Sequence, residues 1–202
     1  MRLQNSVISG CIVGSLLLST AACAQDSFEA VREIGRTTEK ELSVVLSSTF
    51  GSLTISRGEQ EKVMTAESSR GASNLPMDLS YAVRNRVGYL DLALGEGHEE
   101  GVGKKTSFNV SDLKGGKWYL KFSDAIPISF DIELGVGNGD FDLSGLTVKD
   151  FNLSTGASDV SLSFDEPNKT SIDNIHIETG VSKFYGRNLG NANFNHLRFE
   201  GG

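Results

Sequence analysis

With 202 residues, the chain is long enough for one sizeable core or two small ones. Its formal net charge of -7 repels phosphate backbones, which excludes nucleic acid as a partner. An apolar content of 38% excludes a disordered chain, and 23 glycines against 3 prolines favour strands and tight turns over long helices.

Residues 1–22 read as an export signal. Arg2 supplies the positive start, and the uncharged run over residues 7–19 is too short for the roughly 20 helical residues that span a bilayer. Two processing routes fit the residues after this run. Thr20-Ala21-Ala22-Cys23 resembles a bacterial lipobox, with Thr20 where leucine is usual; Cys23 would then carry the lipid and hold the protein to a membrane. Ala22-Cys23-Ala24 instead fits A-x-A cleavage before Gln25. The other cysteine is Cys11, inside the signal, so the chain beyond residue 23 has no disulfide and no thiolate for a metal. No metal site and no cofactor are expected.

Residues 23–40 are polar and highly charged. They read as a spacer or tether, with a short helix over residues 27–34. From Glu41 the texture changes. Leu42, Val44 and Leu46 alternate with polar neighbours, as do Leu53 and Ile55, and Val87-Gly-Tyr89-Leu-Asp-Leu92-Ala-Leu94 continues in the same style. This period of two marks half-buried strands. Residues 95–105, "GEGHEEGVGKK", read as a loop. In "KWYLKFSDAIPISFDIELG", Trp118, Leu120 and Phe122 point one way and Lys117, Tyr119 and Lys121 the other. Trp118, Phe122 and Tyr89 are expected to pack in or against the core. No window beyond the spacer shows a helical period, so residues 41–202 are expected to form a single all-β domain.

A repeat organises the C-terminal half from about residue 126. "FDIELG", "FNLSTG", "IHIETG" and "LRFEGG" align on Gly135, Gly156, Gly180 and Gly202, at intervals of 21, 24 and 22 residues. Five residues before each glycine stand Phe130, Phe151, Ile175 and Leu197; three before stand Ile132, Leu153, Ile177 and Phe199. Two after the glycine come Gly137, Ser158 and Ser182. Columns of like residues at such a period predict the stacked rungs of a β-solenoid, continuous with a β-rich N-terminal half. The apolar columns would line its core and the glycines its corner. This accounts for the glycine-rich "DIELGVGNGDFDLSG". A dinucleotide loop needs G-x-G-x-x-G before a helix, but Asp140 stands at the third glycine and a strand-like run follows.

"LSYAVRNRVGYLDLALG", "KWYLKFSDAIPISFDIELGVGNGDFDLSGL", "FNLSTGASDVSLSFDEPN" and "IHIETGVSKFYGRNLGNANF" together resemble the N-terminal toast-rack domain family of bacterial envelope proteins. That family is related to adhesin-like and cell-wall-antibiotic-response domains. The resemblance covers roughly residues 40–202. It implies a stacked β-fold outside the cytoplasm, an association with envelope stress or surface interaction, and no catalytic residues. Family members commonly continue for further strands, which leaves open a fragment or a short form.

The outward positions are the remaining candidates for chemistry. Asp131, Asn152, His176 and Arg198 stand four before the repeat glycines; Glu133, Ser154, Glu178 and Glu200 stand two before. Asp131, Glu133, His176, Glu178, Arg198 and Glu200 are therefore the expected binding face, for an envelope protein or a polysaccharide. The rival reading is a small carbohydrate-active enzyme. Rungs stacked at about 4.8 Å would bring Glu178 and Glu200 to about 5 Å, near the carboxylate separation of a retaining glycosidase. His98 lies beside Glu96, Glu99 and Glu100 in what reads as a solvated loop. Asn109, Asn152 and Asn168 head Asn-x-Ser/Thr triplets, which matter only in a glycosylating host, and the signal reads as bacterial. Finally, "NHLRFEGG" carries Arg198 and Glu200 as its charged residues, thin protection for a terminal strand edge, so self-association through that edge is expected. Residues 24–40 folding back would be one way to cover it.

Overall fold

The computed structural model describes residues 28–69, 77–95 and 116–202. The signal, Cys23, His98 and Asn109 lie outside them. Eleven strands follow one another: β1 (Phe28–Gly35), β2 (Glu41–Arg57), β3 (Lys62–Ser69), β4 (Met77–Arg84), β5 (Val87–Leu94), β6 (Lys117–Phe122), β7 (Ile128–Asp142), β8 (Val148–Ser163), β9 (Ile172–Thr179), β10 (Lys183–Arg187) and β11 (Phe194–Gly201). One 3₁₀ turn, Leu189–Ala192, precedes β11. The protein is all-β, and its C-terminal half is a stack of rungs.

Three long strands make the frame. β2, β7 and β8 each span both walls of the molecule, pairing in parallel along their whole length. On the first wall the order is β4-β5-β2-β7-β8-β9-β11. On the second it is β1-β3-β6-β2-β7-β8-β10. β5 and β6 flank the two halves of β2, so together they are a split rung with residues 95–116 between them.

The pairing register reproduces the sequence columns residue for residue. Phe130 pairs with Phe151, Phe151 with Ile175, and Ile175 with Leu197. The inward side chains of the two walls meet in one core. Phe122 on the second wall lies edge-on to Phe130 on the first at 5.2 Å, and Phe141 meets Phe151 at 6.2 Å. Such edge-to-face pairs add stability beyond the area they bury.

The corner between the walls explains the glycines. A Cβ on Gly156 would stand 2.7 Å from the Gly135 carbonyl oxygen, and one on Gly180 equally close to the Gly156 oxygen. Successive rungs turn here with backbone against backbone, and no side chain fits between them. The Ser182 hydroxyl ties the same corner together, donating to the Gly156 carbonyl at 3.0 Å and accepting from the Ser158 amide at 3.1 Å. At the opposite turn Asn168 is buried. Its side-chain oxygen accepts from the Val148 amide at 2.9 Å, and its amide donates to the Val148 carbonyl at 2.8 Å.

Three expectations need correction. Residues 28–35 form no helix and are no spacer: β1 pairs antiparallel with β3, its register running from Phe28 opposite Ser69 to Gly35 opposite Lys62. The charged pattern hides a strand at the sheet edge, where outward positions are wet. β1 also joins the end of the stack away from β11, so it does not cover the terminal edge. Second, Tyr89 is not core. It is 49% exposed, because it stands in the parity opposite to Leu90 and Leu92. Third, Leu197 and Phe199 occupy the inward columns but remain 43% and 52% exposed, since no rung among the described residues stacks beyond β11.

The turn after β1 carries a buried carboxylate. Glu39 accepts from the Thr37 amide at 3.0 Å and from the Thr37 hydroxyl at 2.7 Å, with the Arg36 Nε at 3.7 Å. Burial pushes its pKa up, but the hydrogen bonds from Thr37 outweigh it and hold the carboxyl below its usual value. Burial, reinforced by this negative charge, pushes the neighbouring Tyr81 phenol up to about 12.

Two predictions test this architecture. Phe151→Ala is expected to cost about 3–5 kcal/mol of unfolding free energy, and Asn152→Ala no more than about 0.5 kcal/mol. Denaturant titration of both variants measures the contrast, and equal effects would refute the assigned facing. Glu39 has a folded pKa below its unfolded value. Its stabilisation is therefore complete at neutral pH and is lost as pH falls through the folded pKa. Stability curves of the wild type and Glu39→Gln should converge as pH is lowered, and a constant gap would contradict the assignment.

Candidate interaction face

Parallel in-register pairing turns each outward position into a row across the first wall. Asp91, Val45, Asp131, Asn152, His176 and Arg198 form one row, strand by strand. Ala93, Ser47, Glu133, Ser154, Glu178 and Glu200 form the next. The six predicted face residues therefore share one surface, though not one site. Asp131 and Glu133 lie on β7, three strands from Arg198 and Glu200 on β11. The first row runs from acidic at β5 and β7 to basic at β9 and β11.

Chemistry concentrates at the β9–β11 end. The His176 Nε2 lies 3.0 Å from the Glu200 Oε1, and the Arg198 Nε lies 2.5 Å from the same oxygen. The His176 hydrogen bond, assisted by the Arg198 charge, holds the Glu200 carboxyl below its usual pKa against the opposing effect of burial. Next to this cluster, Asn152, Asn174, Ile175, His176, His196 and Arg198 line an open groove of about 300 Å³. His196 pairs with Asn174, two positions earlier in the same outward parity. Asn174 and His196 join the face beyond the six residues expected from the sequence. Their signal is present there too, since each stands six before a repeat glycine, one row further out than the expected positions.

Glu178 and Glu200 are direct register partners, as the glycosidase reading requires. The electrostatics oppose the acid role for Glu200. A general acid for glycoside cleavage needs a raised pKa, produced by burial or a like charge. Glu200 is exposed, paired with two basic side chains and shifted the other way. The pair also stands on a wall rather than in a cleft.

Fold and face together define a class: a stacked β-domain that offers an extended polar wall. The profile of the N-terminal domain of toast_rack, DUF2154, matches residues 23–185, and the chain belongs to that family. No curated protein matches the chain in sequence. Two solved structures are similar. A "putative cell adhesion protein" from Clostridium sporogenes is 23% identical with a TM-score of 0.61, over 80% of this chain and 73% of its own, which bears on fold alone. A "putative adhesin" from Bacteroides fragilis is 11% identical with a TM-score of 0.28, over 88% of this chain and 96% of its own.

The Glu200 assignment is testable by carboxyl-carbon NMR titration. His176→Ala should raise the Glu200 pKa towards its ordinary value while leaving the thermal midpoint close to that of the wild type. An unchanged Glu200 titration would remove His176 as the cause.

Proposed function

We propose that the protein is an exported, membrane-tethered interaction domain of the bacterial envelope, with no catalytic activity of its own. It would present the outward wall of β7, β8, β9 and β11 to an envelope protein or polysaccharide. The observation that carries this reading is the in-register wall itself: a continuous polar surface with a donor-rich groove, in a member of the toast_rack family. A wall built this way suits an extended partner, because the same spacing recurs from rung to rung. The export signal in residues 1–22 and the lipobox-like Thr20-Ala21-Ala22-Cys23 support placement at a membrane. One acyl chain alone anchors weakly, so stable tethering needs the further chains that lipoprotein processing adds.

Replacing Cys23 by Ser should release the protein from membranes into the soluble fraction and abolish labelling by a fatty-acid analogue. A wild-type protein that is already soluble and begins at Gln25 would refute the tether and leave export alone. Chemical cross-linking in the native cell should capture an envelope component with the wild type and lose it with His176→Glu/Arg198→Glu, which reverses the charge of the groove.

A further inference from the structure

The rungs change direction at two opposite edges, and the two edges differ in chemistry. At the turn edge Glu59, Glu61, Asp142, Asp165 and Glu166 are exposed. At the glycine corner, the residue after each of the first three repeat glycines is apolar and exposed: Val136, Ala157 and Val181. Half-buried Phe50 stands at the same place in β2, since Phe50 pairs with Val136 and Val136 with Ala157. Val136 is 56% exposed with a rung stacked on either side, so its exposure is a property of the corner. At about 4.8 Å per strand, Phe50, Val136 and Ala157 make a ridge about 10 Å long, which Val181 extends. Glu133 and Glu178 stand three residues back from Val136 and Val181, about 10 Å down the first wall, and leave the ridge itself uncharged.

The first strand begins at this same edge. Phe28 pairs with Ser69, whose hydroxyl accepts from the Lys117 amide, and Lys117 pairs with Ser52, the residue after Gly51. Cys23 stands five residues before Phe28, a stretch that spans at most about 18 Å. The turn edge lies seven residues further along β1, about 23 Å from Phe28, beyond that reach. We infer that the corner ridge rests on the surface of the lipid bilayer to which Cys23 anchors the chain, an inference that depends on the tether proposed above. The ridge side chains lie at the boundary between headgroups and acyl chains, and the carboxylates of the turn edge point away from the membrane. An apolar strip of this size binds a bilayer weakly by itself. The anchor supplies the high local concentration that makes the contact persist. Both walls then stand upright on the membrane, and the groove at β9 and β11 opens sideways, towards a partner lying along the membrane surface.

The test reconstitutes the protein, as processed in the native cell, into phosphatidylcholine vesicles that carry a nitroxide on the acyl chain. A fluorophore is attached through Val136→Cys or Ala157→Cys on the ridge, Glu166→Cys on the turn edge, or Tyr185→Cys on the second wall; all four positions are exposed. The two ridge labels are expected to be quenched about threefold more than either of the others, because the ridge sits within about 10 Å of the acyl boundary. With the label attached through Val181→Cys, Val136→Asp/Ala157→Asp should lose that quenching while the protein still floats with the vesicles, since Cys23 is untouched. Equal quenching at all positions, or stronger quenching at 166 or 185, would overturn the inference and leave the tether standing. So would a ridge label shielded from water but not quenched, which would mark a second copy as the occupant. Protein that does not float with the vesicles would overturn the ridge and the tether together.

Discussion

The structure depends on one constraint: consecutive rungs stack in parallel and in register, so that position i in one strand lies beside the same repeat position in the next. Register fixes facing, because a one-residue slip would move every inward side chain to the outer wall. The corner enforces it. With the Gly156 backbone against the Gly135 carbonyl and Gly180 against Gly156, the rungs approach too closely for a side chain, and only the aligned glycines can lie there. The hydroxyls of Ser158 and Ser182 and the amide of Asn168 then bond across the same interval at the turns. Core columns, polar rows and groove all follow from that alignment.

The stack is asymmetric along its length. Towards the N-terminal half it changes to antiparallel pairing, with β4 on β5 and β1 on β3 on β6. Those strands carry charge at the wet edge, including the Lys62–Glu33 pair at 2.8 Å across β3 and β1. Exposed pairs of this kind add little stability, but a charged edge strand resists pairing with other chains. The other end has no comparable cover among the described residues, and there the apolar columns run out into exposed Leu197 and Phe199.

A stacked wall sets its outward side chains in rows across neighbouring strands. The spacing within those rows is fixed by the parallel register. The strongly buried carboxylate, Glu39, lies at the turn after β1, and its hydrogen bonds keep it ionised there. On the wall, Glu200 is held ionised by His176 and Arg198. Both shifts stabilise charge for structure, and neither prepares a group to donate a proton.

The sequence alone determined the repeat, its facing and its register. These are local properties: apolar side chains at a period of two, and a glycine recurring at 21 to 24 residues where only a bare backbone fits. That pattern by itself places Asp131, His176 and Arg198 in one row. Tertiary structure decided what depends on which strands become neighbours. β1 is legible only once β3 is beside it, since its charged outward residues mask its alternation. Tyr89 is exposed because its parity is set by Leu90 and Leu92, and an aromatic side chain alone does not reveal its direction. Glu39 becomes a buried anion because Thr37 and Tyr81 close over it. Asn168, legible only as the head of an Asn-x-Thr triplet, joins one turn to the next. Leu197 and Phe199 carry the same pattern as the buried columns, but burial is supplied by the rung beyond, and a pattern within one rung cannot state whether that neighbour exists.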